Sequence, residues 1–167
     1  MSTPIPNQQS TKARDLVITR TFAAPRARVW QAWTDPEQVT RWWGPQYFTA
    51  PTATIDLRVG GKYHFCMRSP EGQDFWSTGV YQEITPMDRI VYTDSFSDAD
   101  GSIISPQAYG MGDDFPMETV VTLLFADAPG GGTTLTLRNA GVPEGPMREM
   151  SELGWGTSLD KLGDILR

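Results

Sequence analysis

Apolar and polar positions begin to alternate at "DLVITRTF", where Leu16, Ile18 and Phe22 fall on one face and Val17, Thr19 and Thr21 on the other, which predicts a first strand. The period then changes. In "AAPRARVWQAWT", Val29, Trp30 and Trp33 recur at helical spacing behind Pro25, a residue suited to a first helical turn. Asp35 is placed to cap a second short helix, with Pro36 as its first residue, Gln38 at the capping-box position, and Gly44 and Pro45 stopping it after Trp43. From Tyr47 to Ala140 the pattern returns to period two and predicts strands at about 47–56, 61–68, 74–84, 88–96, 117–126 and 132–140. The short junctions "VGGK", "SPEGQD", "TPMD" and "APGGGT" make neighbouring strands antiparallel. The exception is a long Gly/Asp-rich loop from Ser97 to Pro116, of a length that is usually functional or mobile.

A last helix is predicted over about Pro146–Leu166, with Met147, Met150, Trp155, Leu162, Ile165 and Leu166 on one broad apolar arc. Ser151, Gly154 and Ser158 occupy the centre of that arc, where a packed helix normally carries Leu. Either bulky sheet side chains fill the vacated volume or the space is left for something else. The order strand, two short helices, six strands, long helix predicts an α+β fold in which a curved seven-stranded antiparallel sheet wraps the C-terminal helix and the short helices close one end.

Composition narrows the partners. Fourteen Lys and Arg against 20 Asp and Glu give a net charge of -6, which repels nucleic acid and anionic headgroups. No apolar run is long enough to span a membrane, and the polar start "MSTPIPNQQSTKAR" has no signal-like apolar core, so no membrane insertion is expected. With one cysteine, Cys66, no internal disulfide forms, and a cytoplasmic location is the simplest expectation. Residues 1–13 are expected to be a flexible segment and residues 14–167 one domain.

"RTFAAPRARVWQAWTDPEQVTRWWGP", "DLRVGGKYHF", "GVYQEITPMDRIVYTDSF" and "LGWGTSLDKLGDIL" occur in order, each in its predicted structural context. Together they resemble the homologues of the activator of heat-shock-protein-90 ATPase, within the START-like SRPBCC superfamily. That resemblance implies a helix-grip fold with an internal hydrophobic cavity, in a superfamily of lipid and steroid carriers, polyketide aromatase/cyclases and many proteins without assigned activity. The eukaryotic activators carry an additional N-terminal domain that engages the chaperone, for which this sequence has no room.

Three readings of function follow. The first is noncatalytic binding of a small hydrophobic or amphipathic molecule, lined by Trp43, Tyr63, Phe65, Met67, Tyr81, Tyr92 and Trp155, with Phe115 as a plug on the long loop. In this reading Trp42 anchors while Trp43 reaches the cavity, because adjacent helical residues differ by about 100°. The second is a cyclase- or hydrolase-like enzyme using a cavity carboxylate, Glu83 or Glu118, with Tyr81 or Tyr92. The third is a co-chaperone or interaction module, including a homodimer through exposed faces. No cofactor is called for. One histidine, His64, expected to face outward, and one cysteine do not make a zinc site, and "DSFSDADG" fails the calcium-loop register.

Overall fold

A computed structural model of the chain describes residues 15–167; the expectation of a flexible segment at residues 1–13 lies outside them. The elements are β1 (Leu16–Phe22), α1 (Arg26–Thr34), α2 (Pro36–Trp42), β2 (Thr49–Ile55), β3 (Lys62–Arg68), β4 (Asp74–Thr85), β5 (Arg89–Ser97), β6 (Thr119–Ala128), β7 (Gly132–Ala140) and α3 (Pro146–Ile165). All seven strands form one sheet in the order β1-β7-β6-β5-β4-β3-β2, antiparallel throughout. The sheet curls into a half-barrel around α3, so the α+β helix-grip architecture is as the pattern predicts. Hydrophobic alternation decides the concave face: Leu16, Ile18 and Phe22, then Ile90 and Tyr92, Val121, Leu123 and Phe125, and Leu135 and Leu137 are all buried on it.

The short helices start and stop for local reasons. Asp35 caps α2 as expected, but its carboxylate accepts the N–H of Glu37 at 3.0 Å, the second helical residue, rather than the third-position N–H of a capping box. Trp42 ends α2 buried, its Nε1 donating to Ala32 O at 2.9 Å and so pinning α2 onto α1. At the other end of the chain, Arg28 of α1 donates to the carbonyls of Ile165 and Leu166 at 3.2 and 3.3 Å, placing a cation on the carbonyl end of α3.

The small residues of α3 stand against side chains from other elements. A Cβ at Gly154 would lie 3.5 Å from the Pro45 ring, and one at Gly163 3.5 Å from the Phe22 ring. Ser158 is buried with its hydroxyl donating to Gly154 O at 2.8 Å. Side chains from the sheet and from the turn after α2 therefore take up the volume that larger helix residues would fill. The expected apolar arc is shorter than the sequence suggests: Leu159, Leu162 and Leu166 are buried, whereas Met150 is 54% exposed.

β3 and β4 approach β5 closely at one point. Tyr63 pairs with Gly79 and lies over it, its hydroxyl reaching β5. A Cβ on Gly79 would stand 1.7 Å from the Thr93 carbonyl oxygen and 2.6 Å from the Tyr63 ring. We expect Gly79→Ala to destabilise the chain by about 3 kcal/mol, read as a lower urea midpoint.

Candidate functional site

Aromatic rings from four elements meet beneath α3. Trp43 lies 4.9 Å from Phe65, 5.5 Å from Trp155 and 6.2 Å from Trp33, ring centre to ring centre. Trp42 backs this group, 4.6 Å from Trp33 and 5.5 Å from Trp43. Tyr63 continues it along the sheet, 4.7 Å from Phe65, 5.2 Å from Tyr92 and 6.0 Å from Tyr81. Most of these contacts are edge-on or tilted, the arrangement that ring quadrupoles favour. Trp42 is fully buried, while Trp43 and Trp155 are half-buried at the margin of the group.

The interior is nearly filled. A space of about 10 Å³ remains, lined by Trp33 of α1, Tyr63 and Phe65 of β3, Tyr81 of β4, Ile90 and Tyr92 of β5 and Leu123 of β6. That is room for about one water molecule. The resemblance implied an internal hydrophobic cavity; of the two alternatives left by the small residues of α3, the filled one holds, with aromatic side chains taking up the volume. Two of the residues lining the remaining space carry buried polar atoms without a partner among the described residues. Trp33 Nε1 and Tyr92 OH are buried without a hydrogen-bond partner among the described residues, as is Asn139 Oδ1 on β7. Asn139 lies in the same cross-sheet row as Tyr92, with Val121 between them.

Of the eight aromatic and sulfur side chains expected to line the site, Tyr63, Phe65, Tyr81 and Tyr92 border the space, and Trp43 and Trp155 cover it through Phe65 and Trp33. Met67 sits instead against Gly44, which a Cβ would crowd at 3.3 Å. Phe115 stands apart, 6.0 Å from Phe96 on β5. There the long loop closes the far end of the sheet mainly through a residue the sequence reading missed, Tyr109. Its ring lies 5.2 Å from Phe75 and 5.5 Å from Phe96, and its hydroxyl donates to Ser97 O at 2.7 Å. The available signal was Ser105–Pro106, a helix-start pair that opens the single 3-10 turn carrying Tyr109.

The two candidate carboxylates do not reach the interior. Glu83 follows a β-bulge between Tyr81 and Glu83, which reverses the inside–outside alternation; it points outward and pairs with Arg89 at 3.0 Å. Glu118 precedes β6 and is exposed. The inward carboxylate is Asp94, two residues beyond Tyr92 on β5 and therefore on its face. Tyr63 OH donates to Asp94 Oδ1 at 2.7 Å. Burial pushes the Asp94 carboxyl up to about 6, and the Tyr63 bond only partly offsets it. Burial also holds the Tyr63 and Tyr92 phenols protonated, well above the usual range, with the nearby Asp94 charge adding to the effect.

His64 faces outward as expected, stacked 4.6 Å from Trp76 with Nε2 3.1 Å from Asp98 O. Cys66 is buried, and desolvation raises its thiol to about 11, which leaves it protonated and unreactive. Among the described residues no group of three or more His, Cys, Asp or Glu could hold a metal ion, and no helix is long and apolar enough to cross a membrane.

A curled antiparallel sheet gripping a long C-terminal helix over an aromatic interior defines a protein of the START-like helix-grip class. The model of the family described as Activator of Hsp90 ATPase homolog 1-like protein matches residues 23–167, and the chain belongs to that family. No curated protein matches it. Similar solved structures include a Chromobacterium violaceum protein, 28% identical with a TM-score of 0.74, covering 92% of this chain and 97% of that one. An Arthrobacter aurescens protein is 27% identical, with a TM-score of 0.77 over 93% of this chain and 87% of that one. The AHSA1 protein of Silicibacter pomeroyi is 25% identical, with a TM-score of 0.71 over 91% and 96%.

The Asp94 environment generates a test. In the unfolded chain the carboxyl titrates near 3.8, so the folded state binds this proton more tightly. This group's contribution to stability therefore rises as pH falls through about 6 towards 4, and the cost of its buried charge is fully present above that window. Asp94→Asn keeps an acceptor for Tyr63 and should stabilise the fold at pH 7.5 by about 2 kcal/mol, with the difference in Tm from the parent vanishing near pH 4.

Proposed function

We propose that the chain binds a small apolar or amphipathic molecule between the concave sheet face and α3, without catalysing its conversion. The observation that carries this reading is an aromatic interior that keeps unpartnered polar atoms on two of its lining residues, Trp33 and Tyr92. A buried polar group without a partner costs about 1–3 kcal/mol, and a ligand oxygen placed there would recover that cost. The space of about 10 Å³ is far below that of a small-molecule site, so binding requires α3 or the long loop to move aside. Burying about 300 Å² of ligand at roughly 25 cal/mol per Å² gives on the order of 7 kcal/mol before entropy and opening costs, which makes micromolar affinity the ceiling without polar help.

The Asp94–Tyr63 pair supports a second reading, acid–base chemistry on the bound molecule, with Asp94 in the role first given to Glu83 and Glu118. Loss of turnover but not of binding in Asp94→Asn would separate it from simple carriage.

Native mass spectrometry of the purified chain and a thermal-shift panel of fluorescent lipids, sterols and polycyclic aromatics test the binding reading. A ligand at 100 times its Kd should stabilise by about 2.7 kcal/mol, seen as a saturable rise in Tm with one molecule per chain. Absence of a saturable shift across the panel would overturn it.

A further inference from the structure

We propose that the interior selects ligands whose polar end is an uncharged oxygen, a hydroxyl or carbonyl, and rejects those ending in a carboxylate or phosphate. This rests on the ligand-binding reading above. The unpartnered set has the composition such an oxygen needs. Of the lining residues, Trp33 carries a donor only at Nε1 and Tyr92 a hydroxyl that is both donor and acceptor. An alcohol can donate to Tyr92 and accept from Trp33, and a ketone can accept from both.

Charge excludes the alternative. None of the residues lining the space is cationic. The basic groups around α3 are committed elsewhere: Lys161 Nζ donates to Pro45 O and Phe48 O at 3.2 and 3.0 Å, and Arg20 to Gly156 O at 3.4 Å beside Asp160. Arg148 donates to Val142 O and Asp15 O. The carboxylate on the concave face near the space is Asp94, which stands behind Tyr63 and accepts its hydroxyl proton in a hydrogen bond. An anionic headgroup would lose its hydration, gain no counterion and face a carboxylate of the same sign. A neutral oxygen meets none of these costs.

Matched pairs that differ only in the head decide the matter: 2-naphthol against 2-naphthoate and octanol against octanoate, titrated by isothermal calorimetry at pH 7.5. The neutral member should bind at least about tenfold more tightly, the scale expected when a charge enters a site without a partner. Tyr92→Phe removes a hydroxyl that has no protein partner; it should weaken naphthol binding about tenfold and leave naphthoate unchanged. Asp94→Asn should narrow the gap by strengthening naphthoate binding. Equal or tighter binding of the carboxylates, or an unchanged ratio in both variants, overturns the inference while leaving ligand binding intact. If neither member of either pair binds, the ligand-binding reading and the inference fall together.

Discussion

At Gly154 and Gly163, α3 lies one methyl group's depth from the Pro45 and Phe22 rings, and the interior depends on that approach. A concave sheet face carrying Tyr63, Phe65, Tyr81 and Tyr92 leaves little depth for a helix. The helix fits because glycine faces the Pro45 and Phe22 rings and because the Ser158 hydroxyl folds back onto its own backbone. A methyl group at either glycine would make ordinary contact at 3.5 Å, and side chains longer than alanine would meet the Pro45 and Phe22 rings. Packing density is thus divided between partners: the sheet supplies bulk and the helix supplies proximity.

Within this tight interior the polar groups are the expensive part. The Asp94 carboxylate is tolerated because Tyr63 donates to it, yet burial still raises its proton affinity. Trp33 Nε1 and Tyr92 OH have no such support among the described residues. A sequence selected for packing alone would carry Phe in place of Tyr92. These two atoms cost the fold about a kcal/mol or more each, so they do nothing for its stability.

Most of the fold was legible from period and punctuation. Strand alternation, the Asp35 cap and the Gly44–Pro45 stop each reflect local chemistry that a single chain segment carries by itself. The site was legible only in part, and the failures share a cause. Glu83 was placed inward by simple alternation, but one extra residue at the β4 bulge turned it out, an event that depends on β5 as well as on β4. The same alternation on β5, which has no bulge before Asp94, places that carboxylate beside Tyr92 and could have been read. Whether the cavity was open or filled could not be read from spacing, because it depends on how ring volumes from six elements combine.

Lys161 gives α3 a mechanical character. Its ammonium grips the turn after α2 at two carbonyls, Leu159 and Leu162 are buried on either side of it, and Arg28 holds the helix end. The half towards Pro146 carries Met150 and Leu153 in solvent. From Lys161 to Pro146 the helix runs 15 residues at about 1.5 Å each, about 22 Å, and Arg148 ties that far end to Val142 O and Asp15 O. The helix is thus a beam fastened near both ends, with its tethers made by long cationic side chains to backbone carbonyls, and Trp155 sits on the span between them.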